Sequence, residues 1–95
     1  MANRIRSELD LLGRHVRLLK TVMEHEPIGI IRLSDKLGYP QHKVRYTLRV
    51  LEQEGLIEPT PEGAVTTEKT GPFLGQLRAL LDEMGDIVGS LKSSI

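Results

Sequence analysis

Between Ile28 and Ile57, two short apolar-patterned segments meet at Gly38-Tyr39-Pro40, and this punctuation constrains the fold more than any other feature of the chain. Ile30, Leu33 and Leu37 mark one face of a helix of about two turns, with Gly29 at its N-cap. Gly38 supplies the left-handed conformation of a tight turn. Pro40 suits the first turn of a second helix, where its missing N–H would have had no intrahelical partner. That helix runs to about Glu54 and is closed by Gly55.

At about 100° per residue, Val44, Thr47, Leu48 and Leu51 fall within one third of the second helix, while His42, Arg45, Tyr46, Arg49 and Gln53 lie opposite. The apolar side is expected to pack on neighbouring helices. The other side offers guanidiniums and His, Tyr and Gln groups able to meet base edges or phosphates. Gln41, His42 and Arg45 stand near the N-terminal end, the end that enters a DNA major groove in two-helix motifs, and Lys43 on the flank suits a phosphate. A polar face with two arginines is also common on ordinary surface helices, so the wheel alone leaves both readings open.

Upstream, Ile5, Leu9, Leu12, Val16, Leu19 and Met23 recur at helical spacing from an Asn3 N-cap to about Glu26, where Pro27 ends the helix. Leu11, Leu18 and Val22 form a second stripe. One stripe is expected to face the core and the other a neighbouring helix. Downstream, Pro61 and Gly63 suit a turn between two short β-compatible runs, which predicts a small hairpin. Thr70-Gly71-Pro72 opens a last helix reaching about Lys92. Its Leu74, Leu77, Leu81, Met84, Val88, Leu91 and Ile95 fill every a and d position of three heptads, with Phe73, Leu80 and Ile87 widening the stripe. Such a face predicts a homodimer held by this helix with help from Leu11, Leu18 and Val22. The alternative is a helix folded back on the first one within a monomer.

The chain has 95 residues, no cysteine, three aromatics and a net charge of zero. That length supports one modest aliphatic core, and the missing cysteines exclude disulfides and thiolate metal sites. No apolar run is long enough to cross a bilayer and the N-terminus shows no signal-peptide pattern, so a cytoplasmic protein is expected. Charge is uneven: residues 1–20 carry Arg4, Arg6, Arg14, Arg17 and Lys20 against Glu8 and Asp10, while the hairpin region carries Glu58 and Glu62 and no cation. Arg4, Arg6 and Arg14 are candidates for additional phosphate contacts.

The order Leu33-x3-Leu37-Gly38, then Val44-x3-Leu48-x2-Leu51-Glu52-x2-Gly55-Leu56-Ile57, resembles the winged helix-turn-helix domains of bacterial and archaeal transcription regulators. Val65-Thr66-Thr67-Glu68-Lys69-Thr70-Gly71 before an apolar helix is similar to the junction leading out of the wing in archaeal winged-helix proteins that dimerise through a C-terminal helix. The resemblance implies a mainly α fold with a β-hairpin wing at residues 1–71, a coiled-coil-like dimerisation helix at 72–95, and DNA binding by a homodimer. The chain departs from that pattern in its short, acidic wing, which lacks the usual cationic contact to phosphate.

His15, His25 and His42 are too far apart for adjacent-turn metal ligation, and no nucleophile triad or phosphate loop appears. Neither an enzyme nor a metal or other cofactor is expected. Two functions besides sequence-specific regulation stay open: a protein-interaction module on the same fold, and an architectural chromatin protein, which zero net charge disfavours.

Overall fold

The computed structural model describes all 95 residues and contains α1 (Ala2–His25), α2 (Ile30–Leu37), α3 (Gln41–Gln53), β1 (Ile57–Thr60), β2 (Gly63–Thr66) and α4 (Thr70–Ser94). Helix α1 begins ahead of Asn3, which lies inside its first turn. Met1 is the N-cap, and its carbonyl accepts from the N–H groups of Arg4 and Ile5 at 3.1 and 3.3 Å. At the other end Glu26 leaves the helix at φ −60°, ψ 141°, because the residue before a proline is sterically driven from helical to extended backbone.

The two stripes of α1 divide differently from the sequence expectation. Leu18, Leu19 and Val22 are all 0% exposed, whereas Ile5, Leu9 and Met23 stay exposed. Leu18 and Val22 therefore lie in the chain's own core and are not available to a dimer interface, while Leu11 is half-buried. The other elements pack on the C-terminal half of α1 along an arc lying between the stripes, so neither stripe is buried as a unit.

Leu33 of α2 and Val44, Thr47 and Leu51 of α3 complete the helical core, joined by Ile28, Leu56, Ile57 and Ala64. At the α2–α3 turn, Gly38 adopts φ 74° and its N–H donates to the Ser34 carbonyl at 2.8 Å, while Ser34 Oγ donates to the Tyr39 carbonyl at 2.6 Å. Pro40 falls one position earlier than expected, as the N-cap of α3. Its carbonyl takes the first N–H bonds, from Lys43 and Val44.

Helix α3 ends in a Schellman motif: Gly55 N–H donates to the Glu52 carbonyl and Leu56 N–H to the Leu51 carbonyl, with Gly55 at φ 76°. The turn directs Leu56 back beneath Leu51 and aims the chain into the hairpin. Strands β1 and β2 pair antiparallel in the register Ile57 with Thr66 to Thr60 with Gly63. A third chain segment joins at one residue, where Ile28 and Ala64 exchange N–H···O bonds of 3.2 and 2.8 Å. The Glu26 carboxylate accepts from Thr66 N–H at 2.9 Å and from Thr66 Oγ1, fastening the end of α1 to the strand leaving the wing.

A threonine pair sets the origin of α4. Thr67 Oγ1 donates to the Gly55 carbonyl and buried Thr70 Oγ1 to the Leu56 carbonyl, both at 2.6 Å. Phe73 and Leu74 pack on the core, but every residue from Arg78 onward is exposed. The helix therefore projects. The molecule measures 52 × 27 × 20 Å with a radius of gyration of 15.2 Å, against roughly 12 Å for a compact chain of this length. The architecture is mainly α with a two-stranded hairpin, as the sequence indicated.

Candidate nucleic-acid interface

Helix α3 owes its placement to its buried side. Val44 and Thr47 are wholly enclosed and Leu51 nearly so, which turns Gln41, His42, Lys43, Arg45, Tyr46, Arg49 and Gln53 to solvent. They do not share one concavity: Arg45 and Arg49 on one flank and Lys43 on the other line different clefts, while His42, Tyr46 and Gln53 stand on the open face between them and line neither. Arg45 and Arg49 line a cleft of about 450 Å³ between α3 and the wing, floored by Ile28, Ile30, Leu48, Ile57 and Ala64. Glu52 and Glu62 also line it, which brings the acidic residue of the wing turn into the same cleft as the two arginines. Gln41 and Arg45 also border a shallower depression with Ile31 and Arg32 at the start of α2.

On the other flank of α3, Lys43 lines a separate cleft of about 250 Å³ with Asp10, Arg14, Arg17 and Tyr39. Arg17 donates from Nη1 to the Tyr39 hydroxyl oxygen at 3.3 Å. That hydrogen bond first, and the Asp10 carboxylate less strongly, raise the Arg17 pKa above its ordinary value. Arg14 is half-buried, with Nε enclosed and unpartnered. Arg4 and Arg6, nominated beside Arg14 from the sequence, are exposed on the first turns of α1 and line neither cleft.

Arg17, Tyr39 and Arg32 were not singled out by sequence reasoning. For Arg17 a signal existed, since it follows Arg14 by three residues and shares its helix face. Tyr39 had none, because a tyrosine within a turn says nothing about the helix it will touch.

His15 sits in an apolar groove with Leu12, Val16, Leu19, Val50, Glu54 and Phe73. Burial, then the neighbouring charge of Arg14, lowers its pKa from 6.5. No three His, Asp or Glu side chains come together in a way that could hold a metal ion.

Two helices meeting at a left-handed glycine, followed by a hairpin and a return helix, define a winged helix-turn-helix fold. Comparison with known proteins agrees at that level. The chain is 38% identical over 58 residues to the HTH-type transcriptional regulator GlpR of Haloferax volcanii, an alignment covering 61% of this chain and 23% of the regulator. It thus spans under a quarter of that relative's length. Its structure is similar to the activation domain of the phage T4 transcription factor MotA, with a TM-score of 0.61 at 16% identity over 76% of this chain and 77% of that one. No family model matches the sequence. No helix is long and apolar enough to cross a membrane.

Proposed function

We propose that this chain is a DNA-binding transcriptional regulator that acts as a homodimer and places α3 in the major groove. One observation carries the reading: the side of α3 turned away from the core is exposed and holds Gln41, His42, Lys43, Arg45, Tyr46 and Arg49, a set able to contact bases and phosphates. The likeness to an HTH-type transcriptional regulator over 58 residues supports it.

The dimer is inferred from surface area. The chain exposes 6940 Å², whereas a compact monomer of 10.6 kDa exposes about 5,500 Å². The surplus is more than the roughly 800 Å² each partner contributes to a standard interface. Leu80, Leu81, Met84, Ile87, Val88 and Leu91 of α4, each between 41 and 62% exposed, would be covered by a second copy. Two recognition helices held at a fixed distance would then read two related half-sites.

Selection of bound sites from random duplex DNA, followed by a salt titration on the enriched sequence, tests this function. A two-fold symmetric consensus is expected, and replacing Arg45 and Arg49 together with alanine should abolish the preference. A second reading, a protein-interaction module, is favoured by exposed Glu58 and Glu62 on the wing. Absence of enrichment, with no retention on DNA at low ionic strength, would select it.

A further inference from the structure

The cations around α3 fall into two groups on opposite flanks. With Gln41 at zero on the wheel, Arg45 and Arg49 stand at about 40° and 80°, and Lys43 at about 200°. The two clefts share no residue, so this division persists in three dimensions. A helix with its side chains is about 10–12 Å across and the major groove about 12 Å wide, so groups on opposite flanks of an inserted helix reach opposite phosphate strands.

The two flanks differ in charge. On the wing side Arg45 and Arg49 are offset by Glu52 and Glu62, and Arg32, in the depression next to Arg45, leaves that flank with one positive charge. On the α1 side Arg14, Arg17 and Lys43 face Asp10 alone, an excess of two positive charges in a chain whose net charge is zero. Arg17 is also held in place. Its guanidinium passes over Gly13, where a Cβ would lie 3.5 Å from Nη1, and donates to Tyr39. Because the Tyr39 oxygen is the acceptor in that bond, its O–H remains free to donate.

We propose that Arg14, Arg17, Lys43 and the Tyr39 hydroxyl form a phosphodiester seat for the DNA strand on the side of α3 away from the wing. The inference rests on the DNA-binding reading. It assigns to α1 and the α2–α3 turn the backbone contact that a cationic wing makes elsewhere, and it explains how a neutral chain with an acidic wing can hold a duplex. Phosphate contacts of this kind position the protein without reading sequence.

The experiment is fluorescence anisotropy of the full chain on the selected duplex and on a random duplex across a range of salt concentrations. In Arg17→Gln with Lys43→Gln, both exposed positions, the slope of log K against log salt should become shallower by about two, and both duplexes should weaken by the same factor. Asp10→Asn should tighten binding to both, a gain that misfolding cannot produce. Tyr39→Phe should lower affinity several-fold at unchanged slope, since no charge is lost. If the unaltered chain binds but the double variant keeps its slope, or loses only its preference for the selected site, the seat is refuted while the DNA reading stands. If the unaltered chain binds no duplex, both fail.

Discussion

At the scale of single residues, Thr47 shows the difference between burial and satisfaction. It is 0% exposed, and its Oγ1 has no hydrogen-bond partner. The side chain is enclosed in the core, while its hydroxyl has given up water for nothing. Removing such a group at constant shape is favourable by about 1 kcal/mol. Thr47→Val should accordingly raise the melting temperature by roughly 4–8 °C, measured by circular dichroism. Thr70 is the contrasting case, also buried but with a 2.6 Å bond to the Leu56 carbonyl that anchors the first turn of α4.

Among the elements, the wing is held by its base more than by its own ladder. Four residue pairs make a marginal hairpin, and its stability comes from the Ile28–Ala64 exchange and the Glu26–Thr66 bonds. Gly63 lies beside the first of these attachments, against the Ile28 backbone. Its φ is 134°, and a Cβ there would lie 2.5–2.8 Å from the backbone N, C and O of Ile28. Backbone cannot yield as a side-chain tip can, so Gly63→Ala combines a clash with conformational strain. A loss of about 2–3 kcal/mol is expected in urea denaturation, along with increased amide exchange at Ala64. The cleft beside α3 would open with it, because the wing forms one of its walls.

For the whole molecule, the central question is what covers α4. Beyond Leu77 every residue of the helix is exposed, and glycines at 75, 85 and 89 weaken it by about 1 kcal/mol each relative to alanine. A projecting, glycine-containing helix with an apolar seam depends on association. If the proposed dimer forms, Leu81→Glu with Val88→Glu should convert it to a monomer in size exclusion with light scattering, and should lower α4 helicity while leaving the α1–α3 core folded. An unchanged mass in the unaltered chain and the variant, corresponding to one copy, would remove the dimer from the proposal.

What sequence alone determined were the features set by local periodicity and local stereochemistry. Gly38, Pro40 and Gly55 bound α3 because positive φ and a missing N–H act at the residue itself, and the amphipathic wheel of α3 followed from a single uninterrupted pattern. Helix α1 was legible as a helix but not in its orientation. It carries two apolar stripes, and which part of each is buried depends on where distant segments arrive. Tertiary structure placed Leu18 and Val22 in the core, brought Arg17 to Tyr39 across 22 residues of chain and Glu26 to Thr66 across 40, and divided the cations of α3 between two clefts. A helical period ranks faces within an element, whereas a cleft is made by pairs of elements whose relative placement depends on packing throughout the chain.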